Sequence, residues 1–116
     1  MVNIFNDLII KHNDVEIPVY ADGDAPAELP SEYFTISEDY TSDNLSADNK
    51  PLEQLYEFTL KWYTNDIKRL YTGLNEAITL LKSKGYIISG VGYQNETYKN
   101  TWYSRMVDVK KIDYLN

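Results

Sequence analysis

The sequence contains no cysteine and a single histidine, His12, among its 116 residues. The absence of cysteine excludes disulfide frameworks, thiolate zinc sites, redox switches and cysteine nucleophiles. His12 has no second histidine or cysteine with which to share a transition metal, so we interpret it as a helix-end or surface residue. No stretch reaches the roughly 20 apolar residues of a membrane span, and the first residues lack a secretory signal pattern. We therefore expect no membrane association.

Basic residues are scarce, because 11 lysines and arginines stand against 18 acids and the net charge is −7. This balance argues against binding a phosphate backbone, and we predict no specific nucleic-acid binding. The charge is uneven: the chain up to Glu57 has a net charge of −11, and the chain from Phe58 onward has +4. If the two parts lie on different surfaces, one copy could contact the next head to tail. The alternative is ordinary solvated charge.

Motifs for catalysis are also missing. No Gly-x-Ser-x-Gly occurs. The glycines of "GVG" at 90–92 lie in a strand pattern with no helix after it, which favours a bulge or a crowded crossing over a phosphate loop. Asp22, Asp24 and Glu28 are close in sequence but lack the spacing of an EF-hand loop. One hypothesis is an enzyme in which these three acids hold a metal ion, and it requires that the protein bind a divalent cation. We predict no enzymatic activity, no cofactor and no metal site.

The clearest pattern is "YEFTLKWYTND", Tyr56 to Asp66, in which Tyr56, Phe58, Leu60 and Trp62 alternate with polar residues. Such alternation predicts a strand with one buried face. The following segment predicts a long helix with a cap at Asn65 or Asp66 and an end at Gly85, near Lys82 and Lys84. Its apolar face is predicted to comprise Ile67, Leu70, Tyr71, Leu74, Ile78 and Leu81. Gly73 inside this helix indicates close packing.

The remaining elements complete an α+β prediction for a single domain of residues 1–116. A short N-terminal helix is expected to run to about Asn13, and "VEIPVYA" predicts an edge strand because of Pro18. Strands are further predicted in "SEYFTISEDY", with Phe34 and Ile36 on one face, and in "YIISGVGY" and "TWYSRMVDVKKI". Exposed loops are expected at 41–50 and 94–100. Together these elements predict a mostly antiparallel sheet of about five strands, with both helices packed on one face.

The chain has 11 tyrosines, a residue type enriched at protein interfaces. Tyr33, Tyr63, Tyr93 and Tyr103 are predicted to lie opposite the buried face of the sheet or near its end. They could form an interaction surface, or they could cover the second face of the sheet within one chain. The pattern leaves both possibilities open.

The order of motifs resembles the tail terminator, or tail completion, proteins of long-tailed bacteriophages, which join the tail tube to the head. The resemblance covers about Leu29 to the C-terminus. It is carried by Pro30, Tyr33 and Thr35 in "LPSEYFTI", Ala47–Asn49 in "SADN", Tyr63 and Thr64 at the strand end, and Gly85 and Tyr86 after the helix. The N-terminal block, 1–27, carries no diagnostic feature.

The resemblance implies a virion structural protein of the tail or neck, present in the host cytoplasm during assembly. Its partners would be other copies of itself in a hexameric ring, the tail tube protein and the head connector proteins. On this hypothesis the two predicted loops and the tyrosines supply the contact residues, Asp43, Asn44, Asp48, Asn49, Tyr63, Tyr93, Tyr98 and Tyr103. The alternative is an intracellular adaptor or inhibitor that binds one protein partner through an acidic, tyrosine-rich surface.

Overall fold

The computed structural model describes residues 2–45, 51–98 and 102–114, with the backbone alone at 42–45, 51–52, 91–98 and 114. Two helices, α1 (Ile4–Asp7) and α2 (Arg69–Ser83), accompany seven strands. The strands are β1 (Lys11–His12), β2 (Val15–Glu16), β3 (Val19–Ala21), β4 (Glu32–Leu45), β5 (Pro51–Thr64), β6 (Ile87–Tyr98) and β7 (Trp102–Tyr114).

Five of the strands form one sheet in the order β3-β4-β5-β7-β6. All neighbours are antiparallel except β3 and β4, which pair in parallel through Val19–Ala21 and Phe34–Ile36. β1 and β2 form a separate two-stranded hairpin. The predicted class is confirmed: an α+β fold with a mostly antiparallel five-stranded sheet, a long helix and a short N-terminal helix.

One side of the sheet, here called the helix face, carries the core. Phe34, Leu60 and Trp62 are fully buried there, as the alternation in the sequence predicts, and Val109 of β7 is fully buried beside them. Leu74, Ala77 and Leu81 of α2 and Ile4 and Leu8 near the N-terminus belong to the same apolar cluster. Burial of apolar surface against these two segments is the main force that holds the helices on the sheet.

The prediction of the apolar face of α2 is correct for the middle and the end of the helix and wrong near its beginning. Leu70, Leu74 and Leu81 are buried, whereas Ile67 and Tyr71 are exposed. Ile67 precedes the helix, which begins at Arg69, so it does not share the helical periodicity. Tyr71 lies at the flank of the helix, where the Arg105 guanidinium sits 4.7 Å from the centroid of its ring.

The ends of α2 largely follow the sequence signals. The N-cap residue is Lys68, and not Asn65 or Asp66 as predicted. Asp66 nevertheless accepts a hydrogen bond from the Lys68 amide at 3.0 Å. Lys82 lies in the last turn, and Gly85 adopts the left-handed conformation with φ 89°. The close packing predicted at Gly73 is also found, because a Cβ there would overlap the Trp62 indole ring.

The N-terminal helix is shorter than predicted. It ends at Asp7, and the chain continues into the β1–β2 hairpin, in which Asn13 and Asp14 have φ of 52° and 63°. The left-handed conformation expected at Asn13 therefore belongs to a tight hairpin turn and not to a helix cap. The strand predicted in "VEIPVYA" is divided at Pro18 into β2 and β3, and β3 lies at the sheet edge as expected.

Both predicted loops are partly wrong. Residues Thr41–Leu45 continue β4, β5 begins at Pro51, and residues Gln94–Tyr98 belong to β6. Residues 46–50 and 99–101 lie outside the described part. Polar residues extend these hairpins because an antiparallel ladder needs backbone hydrogen bonds and not apolar side chains. The bulge predicted at "GVG" is present, since the β6–β7 register shifts between Ser89 and Tyr93 and Gly90 has φ 83°.

Candidate interaction surface

Aromatic rings collect on the second face of the sheet, opposite the helices. The rings of Tyr33 and Tyr63, which are cross-strand partners in β4 and β5, stack with centroids 4.7 Å apart. Trp102 from β7 approaches Tyr33 edge-on at 5.6 Å, and Tyr20 from β3 does so at 5.9 Å. Pairing across strands and edge-to-face contacts stabilise such a cluster beyond its burial alone. These four residues are called the aromatic cluster below.

The tyrosines differ in whether they pack within their own chain or remain available as an interaction surface. Tyr33 is only 5 % exposed, so it serves the packing of its own chain. Tyr63 and Trp102 remain half-buried and present part of their rings to solvent. Tyr103 pairs with Thr64 and alternates with Ser104, which places it on the helix face instead. The predicted tyrosines therefore do not form one surface.

A cavity of about 360 Å³ lies beside the aromatic cluster, under the segment that connects β3 to β4. Tyr33, Thr35 and Tyr63 line it from the sheet, and Asp22 and Leu29 line it from the connecting segment. The hydroxyl of Thr35 is buried without a hydrogen-bond partner in the part of the chain that is described. Of the acids considered for a metal, Asp22, Asp24 and Glu28 are all exposed in this segment. No group of three potential metal ligands occurs among the described residues.

Next to the aromatic cluster the second face becomes polar. The Thr59 hydroxyl donates to Asp39 at 2.5 Å and lies 3.5 Å from Asp108, so it links β4, β5 and β7. Further along, Lys110 and Glu57 form an ion pair at 3.3 Å. A sheet face with hydroxyls, carboxylates and an ion pair is typical of antiparallel sheets with one side in water.

The predicted contact residues lie at two different ends of the sheet. Asp43 pairs with Gln54 and Asn44 with Glu53, near the tip of the β4–β5 hairpin. Tyr98 pairs with Trp102 at the opposite end, where Tyr63 pairs with Ser104. Tyr93 lies between them, opposite Met106. Asp48 and Asn49 lie outside the described residues, and the side chains of Asp43, Asn44, Tyr93 and Tyr98 are likewise not described.

Sequence reasoning missed two members of the aromatic cluster, Tyr20 and Trp102. The alternation of Trp102, Ser104 and Met106 indicates that they share a face, but not which neighbouring strand they meet. That information lies in the register, which pairs Tyr63 with Ser104 and Val19–Ala21 with Phe34–Ile36. Register depends on long-range pairing, and a shift by one residue would move each of these side chains to the other face.

Buried charge is found on the helix face, away from the aromatic cluster. Arg69 donates to Glu32 at 3.1 Å and to Glu76 at 3.3 Å, and its guanidinium lies 5.8 Å from the centroid of the Trp62 ring. Arg105 donates to the Tyr71 carbonyl at 3.2 Å, and burial lowers the pKa of its guanidinium. Both arginines join α2 to the sheet, which is a structural role. His12 is half-buried in strand β1 and not at a helix end, and the sequence holds no second histidine and no cysteine.

Among the described residues no helix is long and apolar enough to cross a membrane. A scan against protein-family models gives no match for this chain, and a search of curated proteins gives none either.

Proposed function

We propose that this chain is a structural protein of a long-tailed bacteriophage particle, a tail terminator or tail completion subunit. In this role copies assemble into a ring, most simply a hexamer, that caps the tail tube and joins it to the head connector. The protein acts by contact and holds no cofactor. The proposal begins from the sequence resemblance, which implies an α+β subunit, and an α+β fold is observed.

The observation that carries the proposal is the separation of charge across the five-stranded sheet. Exposed acids, among them Asp22, Asp24, Glu38 and Asp39, lie on the β3–β4 side, and one exposed acid, Asp108, lies in β7. Exposed Lys82 and Lys84 lie at the end of α2, just before β6 on the other side. A subunit with opposite charges on opposite sides suits a head-to-tail contact, which closes into a ring when the rotation allows.

The acidic balance suits the same role. A ring at the joint must let DNA pass without holding it, and negative charge repels the phosphate backbone. With a net charge of −7, the chain as a whole does not attract DNA.

Labelling of assembled particles tests the proposal. A terminal affinity tag on this protein, decorated with gold and viewed by electron microscopy, should mark the junction between head and tail. Gold on untagged particles serves as the control for background. Tagged particles that carry no label at the junction, although they are infectious and the tagged protein is expressed, would contradict the proposal.

One observation favours the second candidate, an adaptor or inhibitor that binds a single protein partner. The half-exposed rings of Tyr63 and Trp102 lie on the second face, and exposed Asp22 lines the cavity beside them together with Tyr63. Aromatic residues with a polar rim are typical of interfaces. A stoichiometric heterodimer without self-assembly would favour this candidate over a ring.

A further inference from the structure

Both lateral edges of the five-stranded sheet are open in the described part of the chain. β3 pairs only with Phe34–Ile36, so the outer side of β4 beyond Ile36 faces no other described strand. Glu38, Asp39, Tyr40 and Thr41 are all exposed there. On the other side, β6 pairs only with β7. Open edges carry unpaired backbone donors and acceptors that can pair with another strand.

One row of directly paired residues crosses the second face of the sheet from the β4 edge to the β6 edge. Tyr40 of β4 pairs with Glu57, Glu57 pairs with Lys110, and Lys110 pairs with Ile87 of β6. The middle of this row is the Glu57–Lys110 ion pair. Its two ends are apolar and exposed, with Tyr40 at 54 % and Ile87 at 53 %. An aromatic and a β-branched residue are a favourable cross-strand pair.

From this row we infer that the β6 edge of one copy pairs with the β4 edge of the next copy, so that Ile87 meets Tyr40. The inference deepens the proposed ring assembly and rests on it, since it names the edges through which the copies join. Its occupant is a second copy of this chain because the two complementary edges belong to the same sheet. The contact is head to tail, since the two surfaces differ.

Strand direction agrees with this pairing. The β4–β5, β5–β7 and β7–β6 pairings are all antiparallel, so β4 and β6 run in opposite directions. Two copies in the same orientation therefore bring β6 and the next β4 together as antiparallel strands. Such strands can form a regular ladder of backbone hydrogen bonds.

Charge also agrees with it. Glu38 and Asp39 adjoin Tyr40 on the β4 edge, whereas Lys82 and Lys84 lie at the end of α2, where the Lys84 carbonyl accepts a hydrogen bond from Lys111 of β7. A contact of two β4 edges would bring acids against acids, so charge disfavours the pairing of like β4 edges.

Bulges limit how far the ladder extends. The β4–β5 register shifts between Glu38 and Tyr40, and the β6–β7 register shifts after Ser89. The regular part of the β6 edge near the row is therefore short, covering Ile87–Ser89. Bulges are a common means of preventing indiscriminate edge pairing, so the contact depends on the side chains of the row as well as on the backbone.

Cysteine cross-linking tests the inference cleanly, since the natural chain has no cysteine. Tyr40→Cys and Ile87→Cys proteins are purified separately, mixed at high concentration and oxidised. The expected product is a disulfide-linked dimer that contains one chain of each kind, while neither protein alone cross-links comparably. Tyr71→Cys mixed with Ile87→Cys is the matched control, because Tyr71 is equally exposed but lies on α2.

The outcomes of the cross-linking experiment distinguish a wrong edge assignment from a wrong proposed function. Rings visible by electron microscopy without the 40–87 cross-link would overturn the edge assignment and leave the ring proposal standing. Efficient cross-linking of Ile87→Cys with itself would show a two-fold β6–β6 contact and would also overturn the assignment. A protein that stays monomeric at every accessible concentration and gives no cross-link overturns the edge contact, and particle labelling then decides the proposed function separately.

A charge substitution gives a second measurement that does not depend on disulfide geometry. Ile87→Asp should weaken self-association at least tenfold, because it places an acid opposite the acidic β4 edge. Val15→Asp is the control, since Val15 is 68 % exposed in the separate β1–β2 hairpin. Equal self-association of the two variants in sedimentation equilibrium would contradict the inference.

Discussion

At the scale of single residues, the contact between Tyr86 and Asp7 ties the N-terminal segment to the core. The Tyr86 hydroxyl donates to the Asp7 carboxylate at 2.6 Å, and the Tyr86 side chain is buried. Burial, the hydrogen bond and the negative charge of Asp7 all raise the pKa of the Tyr86 phenol above its ordinary value. The folded protein therefore keeps this proton at pH values where the unfolded chain has lost it.

This contact predicts a specific alkaline sensitivity. Stability should fall as the pH rises above 10.0, the ordinary tyrosine pKa, because the folded state then binds more protons than the unfolded state. Tyr86→Phe should lower stability at neutral pH by about 1.5–3 kcal/mol through loss of a hydrogen bond to a charged group. Above pH 10 its stability should fall less steeply than that of the natural chain, by up to about 1.4 kcal/mol per pH unit.

Urea unfolding at a series of pH values measures both effects. Tyr40→Phe is the control, because Tyr40 is exposed and its substitution should leave the slope unchanged. Parallel loss of stability in the natural chain and in Tyr86→Phe would contradict the account. The contact itself could not be predicted from the sequence, since Asp7 and Tyr86 are far apart in the chain and nothing in either segment indicates the other.

At the scale of elements, α2 and β5 are joined by one close approach. Gly73 of α2 faces the Trp62 indole, and the Trp62 Nε1 donates to the Arg69 carbonyl at 3.1 Å. The absence of a side chain at residue 73 lets the helix backbone lie against the ring. Helix propensity alone would make alanine the better residue by about 1 kcal/mol, so packing decides the outcome here.

Gly73→Ala is therefore predicted to destabilise the protein by about 1–3 kcal/mol, the usual cost of forcing extra volume into a packed core. Thr79→Ala, at an exposed position of the same helix, should be neutral or slightly stabilising. Chemical denaturation of both variants measures the difference. If Gly73→Ala proved as stable as the natural chain, the close approach of α2 to Trp62 would be wrong.

The elements also show which information the sequence carries. Alternation around Trp62 and the three-and-four spacing around Leu74 predict β5 and α2, since each pattern reflects one buried face. The sequence predicts loops for the polar residues 41–45 and 94–98, because their side-chain types show no burial pattern, although their backbone continues β4 and β6. At the N-terminus, the sequence predicts a helix end near Asn13 where the structure has a hairpin turn, since both require the same left-handed backbone.

At the scale of the whole molecule, the arrangement of strands places far apart some residues that the sequence prediction groups together. Tyr63 and Tyr103 resemble each other in sequence context, yet they lie on opposite faces of the sheet. Asp43 and Tyr98, both predicted contact residues, lie toward opposite ends of a molecule 54 Å long. Strand order and register set these positions, and both depend on contacts between distant segments. The sequence therefore predicts the fold class, but it does not predict which residues share a surface.

The same arrangement places several exposed acids on the β3–β4 side of the sheet and exposed Lys82 and Lys84 just before β6, while Asp108 is an exposed acid in β7. The uneven charge along the chain allows this pattern but does not require it. Strand order decides this outcome, since β3 and β4 come from the acidic part of the sequence and β6 and β7 from the basic part. The charge pattern is therefore a property of the fold, and it supports assembly through unlike edges.

The proposed role of this protein is to complete the joint between a phage tail and its head. Its most direct test is electron microscopy of lysates from the phage genome with this gene deleted, beside the same genome with the gene supplied from a plasmid. This role predicts filled heads without tails, and tails of abnormal length or with ragged ends, with normal particles restored by the plasmid. Normal, infectious particles in the absence of the gene would contradict it.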